Sequence, residues 1–343
     1  MRAMILAGGL STRLYPLTKE VPKPIVPVAG EPISGQVMRW LASFGYDEIA
    51  INVFYLAEKV ERTFGDGSRY GVKLEYLREK ELTGSAGALK QMEGWFDGTF
   101  VVVGCDDLTD ADLASLVRFH KERRALATIG LLEVEDVEQY GVVIVDENGR
   151  VTGFQEKPAR GTERSKLANT GIYVFEPAIF ERIPANTFYD FGKQVFPELL
   201  RDGLPFYAMQ LAGAYWRDVG TPGEYRAANE DVLSGRVRVH GARATGVPAS
   251  VTVPPDARIE GDVRVGEGVR IGHGVRIAGP SVVGDDVEIG DGAVLERAIV
   301  WDGARIGSGA TLRDAIVGER YRVDDGVTLT DAIVANEPDA ASA

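Results

Sequence analysis

One pattern in the 343-residue chain limits its fold more than any other. From Ile259 onward an aliphatic residue returns every six positions, at Val265, Ile271, Ile277, Val283, Ile289 and Leu295. Gly266, Gly272, Gly284 and Gly290 each follow one of these directly. A six-residue period with glycines predicts a parallel β-helix, each hexad giving one short strand and one turn, with the aliphatic side chain inward. The period resumes at Ile306 and Leu312, then at Val323 and Leu329, after two gaps of eleven residues that mark loops or shortened hexads. Spacing alone does not fix the hand of the coil.

Residues 1 to about 232 follow a different rule. Short apolar runs ("AMILA", "EIAINV", "KLEYL", "TFVVVGC", "ATIGLLEV") alternate with helical patterns, such as Ile33, Val37, Leu41 and Phe44 before Gly45. Alternation of this kind predicts a Rossmann-like α/β domain, a mixed and mostly parallel sheet with helices on both faces. Ligands of such sheets bind beyond the carboxyl ends of the strands. The expected division is an α/β domain over 1–232, a linker and first-coil cap over 233–250, the hexapeptide-repeat domain over 251–334 and a tail over 335–343.

The net charge of −13 argues against a general nucleic-acid-binding surface. Cys105 is the single cysteine, so an internal disulfide is excluded. The first apolar run is short and ends in Gly8-Gly9, unlike a signal sequence, and no window is apolar enough to span a membrane. The expected location is cytoplasmic. In the repeat, His273 stands two residues after Ile271, in a turn facing solvent, which argues against a second, acyl-transferring centre there. Flat β-helix faces bury more readily against copies of themselves, so a homo-oligomer is expected. Residues around Val300-Trp301 and Ile316-Val317 hint at a face outside the coil.

The first strand runs into Gly8-Gly9-Leu10-Ser11-Thr12-Arg13. This is neither G-x-G-x-x-G nor a loop ending in Gly-Lys-Ser/Thr. Its small residues can still offer backbone N–H groups to anionic oxygens. Arg13 adds a forked phosphate donor, and Lys23 is stiffened between Pro22 and Pro24. The competing reading is a plain glycine turn with surface charges.

The stretch "LAGGLSTRLYPLTKEVPKPIVPVAGEPI" closely resembles the signature of the sugar-1-phosphate nucleotidylyltransferases. Further matches follow in order at "TGSAGALK", "GCDDLTD", "FQEKP", "NTGIYVFEP" and "WRDVGTPGEY". The repeats match the left-handed β-helix that many members carry. The resemblance implies the reaction of an NTP with a sugar 1-phosphate to give an NDP-sugar and pyrophosphate, with Mg²⁺. It places the nucleotide on Leu6, Ala7, Gly8, Gly9, Ser11, Thr12, Arg13, Lys23, Glu79, Gly84 and Asp106. Arg13, Lys23 and Asp106 are then catalytic, the first two through the triphosphate and the pyrophosphate leaving group. Gly141, Glu156, Lys157 and Asn169 meet the sugar phosphate, with Lys157 on its phosphate; Asn169 could instead satisfy a turn.

The metal falls to Asp106 and Asp218. The family reads Asn-Gly-Asp where this chain has Gly104-Cys105-Asp106, and Asp107 replaces a common apolar residue, so Asp107 rivals Asp106. Asp218 could instead cap the turn at Gly220-Thr221-Pro222. Relatives that transfer thymidylyl or uridylyl groups tend to carry glutamine at the position of Glu79. A carboxylate only accepts, which suits the adjacent N1–H and N2–H₂ donors of guanine. Glu81 is the rival, and a surface role for Glu79 the alternative. The expectation is GTP with mannose 1-phosphate. The alternatives are dTTP or UTP with glucose 1-phosphate, GTP with another sugar or a cyclitol phosphate, or a non-catalytic subunit that senses NDP-sugars. Ser11 replaces the family glycine. Either the backbone there takes φ > 0 and serine is strained, or its hydroxyl gains a phosphate hydrogen bond. The retained Thr12 and Arg13 favour the hydroxyl.

Overall fold

A computed structural model describes residues 1–241 and 245–337. The middle of the expected linker, 242–244, and most of the expected tail, from 338 on, lie outside the described residues. The chain condenses into two compact units. One comprises Met1–Leu10 and Val37–Asp218; the other comprises Ser11–Gln36 and Val219 onward.

The first unit is built on a nine-stranded mixed sheet. Phe100–Gly104, Arg2–Leu6, Glu48–Val53 and Lys73–Arg78 lie side by side and parallel. Their inner members are apolar almost without interruption, as strands covered on both faces must be. Leu167–Phe175 then runs antiparallel to Phe100–Gly104 and pairs with Ala127–Glu133 and Gly141–Val145, and Val151–Glu156 pairs in turn with Gly141–Val145. The helices expected from the 3.6-residue period form as α1 (Ile33–Ser43), α2 (Ala57–Phe64) and α4 (Leu113–Glu122); α3 (Gly84–Gln91) and α5 (Phe196–Arg201) form where no such period is read. A run of aromatic rings fills the core. Phe96 stacks on Phe100 at 4.2 Å, Phe175 on Phe191 at 5.2 Å and Phe196 on Phe206 at 5.2 Å. Each such ring buries a large apolar area, and stacked pairs add about 0.5–1.5 kcal/mol beyond it. This block sets the floor on which the polar site rests.

In the second unit the repeats form a β-helix of three parallel sheets, as the six-residue period predicts. Ile259 pairs with Ile277 and Ile277 with Leu295, so a coil takes 18 residues there. Leu295 pairs with Leu312, and Leu312 with Leu329, 17 residues on. The eleven-residue gaps are therefore shortened hexads and not loops. The chain turns the tight corner through Arg297 and Asp314, both with φ of 48°. The glycine after each aliphatic residue is set by coil-to-coil contact. A Cβ on Gly266 would lie 2.5 Å from the Gly284 carbonyl carbon. The outside face expected near Trp301 is covered from within the same unit. Trp301 is 3% exposed and packs edge-on against Tyr225 of α6 (Pro222–Leu233), and Ile316 and Val317 are fully buried. His273 faces solvent, as expected, beside Asp256.

Candidate active site

The carboxyl ends of Arg2–Leu6 and Phe100–Gly104 open on a polar cavity of about 300 Å³. Leu6, Asp106, Gly141, Glu156, Lys157, Asn169 and Asp218, far apart in sequence, all line it. So do Asp107, Tyr173, Asp190 and Trp216.

The acidic wall comes from a two-stranded ribbon. Asp107–Thr109 pairs antiparallel with Trp216–Asp218, setting Asp107 opposite Asp218. The Asp107 carboxylate is 5% exposed and held by protein donors: Gly104 N–H reaches Oδ2 and Trp216 Nε1–H reaches Oδ1, each at 2.9 Å. Asp106 is half-buried on the cavity wall. Asp218 lies in a strand, and the cap of α6 is Thr221, whose Oγ1 accepts from Glu224 N–H at 3.3 Å. These are hard oxygen donors of the kind Mg²⁺ prefers. Among the described residues no three His, Cys, Asp or Glu side chains form a metal-holding group. A magnesium ion that keeps one or two carboxylates plus phosphate oxygens does not require one.

The same cavity carries the groups expected to meet a sugar phosphate. Glu156 ends the Val151–Glu156 strand, and its Oε2 comes so close to Gly192 that a Cβ there would lie 2.7 Å away. The residue is exposed by area, yet its Oε2 is flanked by Gly192 and Gly141. Burial pushes it above the usual carboxylate range, Lys157 opposes the shift and Asp190 reinforces it. Lys157 follows with φ of 46°. Asn169 does satisfy a turn: Oδ1 accepts from Gly171 N–H at 3.0 Å, and Nδ2 donates to the Tyr173 hydroxyl at 2.9 Å. It lines the cavity as well.

Beside the cavity, Ala7, Gly8, Glu79 and Gly84 form a second group. Asn52 links it: its Oδ1 accepts from Ala7 N–H at 2.9 Å, and its Nδ2 donates to Glu79 Oε2 at 2.7 Å. Glu79 Oε1 accepts from Thr83 N–H and Oγ1–H. Glu79 is thus buried, 8% exposed, and Glu81 is exposed. Gly84 opens α3 with φ of 79° where a Cβ would strike the Tyr189 carbonyl at 2.4 Å. Gly9 is exposed.

Ser11, Thr12, Arg13 and Lys23 belong to the second unit. Arg13 is exposed on the 3-10 turn Thr12–Leu14, and Lys23, 9% exposed, opens the turn Lys23–Ile25. Ser11 has φ of 55° and ψ of 36°. The reading in which a relaxed Ser11 gains a phosphate bond is therefore corrected, because its backbone occupies the left-handed region that glycine favours.

Sequence reasoning missed Asn52, Tyr173, Asp190 and Trp216. Asn52 was detectable as a polar residue near the end of an otherwise apolar strand. Asp190 sits two residues before a glycine and accepts from Gly192 N–H at 3.0 Å, a local turn signal. Tyr173 and Trp216 carry no such mark.

Fold and cavity together define a Rossmann-like α/β protein with an acid-walled cleft, carrying Lys157, at its strand ends. The chain belongs to the nucleotidyl transferase family, whose model matches residues 2–235, and residues 243–339 match the GMPPB C-terminal domain. It is similar to a UTP–glucose-1-phosphate uridylyltransferase of Synechocystis sp., 42% identical over 69% of this chain and 65% of the relative. It is also similar to a mannose-1-phosphate guanylyltransferase of Mycobacterium tuberculosis, 36% identical over 68% of this chain and 65% of the relative. The catalytic subunit beta of the Drosophila melanogaster mannose-1-phosphate guanylyltransferase is 36% identical over 65% of this chain and 60% of the relative. The chain thus spans less than two thirds of the length of these relatives.

Proposed function

We propose that the chain is a sugar-1-phosphate nucleotidylyltransferase. A phosphate oxygen of the sugar 1-phosphate bonds to the α-phosphorus of an NTP. The bond from that phosphorus to the α,β-bridging oxygen breaks, and pyrophosphate leaves. The observation that carries this reading is the convergence of Asp106, Asp218, Glu156, Lys157 and Asn169 on one cavity at the strand ends. Two polyanions must meet, so the task is positioning and charge neutralisation.

In this reading Lys157 holds the sugar phosphate, Glu156 and Asn169 hold sugar hydroxyls beside Gly141, and Arg13 and Lys23 hold the triphosphate. Leu6 to Gly9, Ser11, Thr12 and Gly84 line the nucleotide. Asp106 and Asp218 would hold Mg²⁺, since the Asp107 carboxylate is committed to Gly104 and Trp216. Held by these carboxylates, Mg²⁺ would supply neutralisation of phosphate charge.

GTP with mannose 1-phosphate is the leading pair, supported by the match to the GMPPB C-terminal domain and by two of the relatives. UTP with glucose 1-phosphate is the second, favoured by the 42% identity to the Synechocystis protein. The domain boundaries at 232, 250 and 334, the left hand of the coil, a homo-oligomer through the β-helix and a cytoplasmic location belong to the same proposal. Asp106→Ala and Asp218→Ala should each cut pyrophosphate release by more than a hundredfold while the protein stays folded by circular dichroism. Full activity in either variant removes that residue from the metal site.

A further inference from the structure

The second unit holds both the segment that carries Lys23 and the β-helix, and a short set of contacts joins them. Val26 N–H donates to the Lys23 carbonyl at 3.0 Å, closing the turn that presents the lysine. The chain then makes a hairpin, Pro27–Val28 against Glu31–Pro32. Its corner residues Ala29 and Gly30 have φ of 48° and 74°, the two successive positive values of a type I′ turn.

Three groups grip this hairpin. The Tyr225 hydroxyl donates to the Pro27 carbonyl at 2.6 Å. Asn229, four residues on and so on the same face of α6, accepts from Ala29 N–H at 2.8 Å. Gly30 lies against the guanidinium of Arg264: a Cβ there would fall 1.9 Å from Nη1 and 2.1 Å from Cζ.

Two of these grips are anchored in the coil. Trp301 Nε1–H donates to the Tyr225 hydroxyl at 2.8 Å, so one oxygen relays between the β-helix and the Pro27 carbonyl. Arg264 stands in the Val263–Val265 strand and is 2% exposed. Burying a guanidinium costs several kcal/mol before compensation, and the Asp302 carboxylate of the coil supplies opposite charge to it.

We infer that Trp301 of the β-helix, acting through the Tyr225 hydroxyl, is a positioning residue for the Lys23 segment, so that the repeat domain helps to set the geometry of a triphosphate-binding cation. The role of Lys23 here rests on the function proposed above. A 1 Å misplacement can cost about a hundredfold in rate. A loosened hairpin should therefore act on NTP handling and not on the sugar phosphate.

The test uses the full chain with Trp301→Phe, which keeps a ring and loses the N–H, and Tyr225→Phe, which removes the relay hydroxyl. Hydrogen exchange should speed up at Val26 and Ala29 in both variants. The KM for NTP should rise and kcat fall, together on the order of tenfold in kcat/KM, with the KM for sugar 1-phosphate unchanged. The double variant should be no worse than Tyr225→Phe alone. Unchanged exchange in both variants, or equal changes in both KM values, overturns the inference. If the unmodified chain turns over no substrate pair, the role of Lys23 fails, and exchange alone decides whether the coil holds the hairpin.

Discussion

At Gly8 the backbone passes so close to its neighbours that a Cβ would lie 2.6 Å from Glu79 Oε2 and 2.7 Å from Asn52 Nδ2. The glycine is needed for this approach, which lets Asn52 bind both Ala7 and Glu79. Glu79 thus has a structural task besides any reading of the base. Its carboxylate accepts from Asn52 and Thr83, and a glutamine amide would turn its own N–H groups toward one of these donors. Glu79→Gln should cost about 1–3 kcal/mol in chemical denaturation and lower the preference for GTP over UTP. Lost stability with unchanged preference assigns Glu79 to loop support alone. Ser11 gives a second prediction at this scale. Serine in the left-handed region costs about 1–2 kcal/mol, partly offset in glycine by its freer unfolded chain. Ser11→Gly should therefore raise stability by up to about 1 kcal/mol in a thermal melt, and a lower melting point contradicts the strain argument. The motif made Gly8, Glu79 and Ser11 visible in the sequence. Their reasons were not visible, because Asn52 meets Gly8 only across two parallel strands, and φ at Ser11 depends on the turn it enters.

At the scale of elements, periodicity did most of the work. The six-residue period located the coil sheets, and α1, α2 and α4 formed where the apolar spacing put them, whereas α3 opens on Gly84-Ser85-Ala86-Gly87 and shows no such spacing. The shortened hexads were left open because a five-residue side differs from a loop only once the coil closes on itself and Leu295 meets Leu312. The antiparallel Leu167–Phe175 strand, which carries Asn169 and Tyr173, is marked by no local signal, since its direction is set by tertiary pairing. One element carries a pH-dependent term. His120 on α4 is fully buried, with Nδ1 at 2.8 Å from Thr128 Oγ1 and Nε2 at 3.3 Å from Glu176. Burial holds its pKa below the ordinary value, and the Glu176 carboxylate opposes this in part. In the unfolded chain the imidazole titrates near about 6.5. The unfolded state therefore binds the proton first as pH falls. Stability from His120 is fully present above that pH and is lost below it, down to the depressed folded value. Denaturation of the wild type and His120→Gln between pH 5 and 8 should show a steeper acid loss in the wild type. Parallel curves would mean that His120 does not titrate differently on folding.

At the scale of the whole molecule, each unit brings distant segments together. In one, residues from 6 to 218 wall a single cleft; in the other, the loop of Lys23 is joined to the far C-terminal coils. Lys19 Nζ also meets Glu337 at 2.7 Å. The family motif exposed the main residues of the cleft, but not that residues 11–36 pack with residues from 219 onward. That pairing depends on Tyr225, Asn229 and Trp301, which look like ordinary helix and coil residues in sequence. Among the described residues no helix is long and apolar enough to cross a membrane. The most direct test of the account is pyrophosphate release with Mg²⁺, measured over a grid of NTPs against sugar 1-phosphates. The account predicts turnover, with GTP and mannose 1-phosphate giving the highest kcat/KM. Release from no pair, with nucleotide still bound, would contradict it.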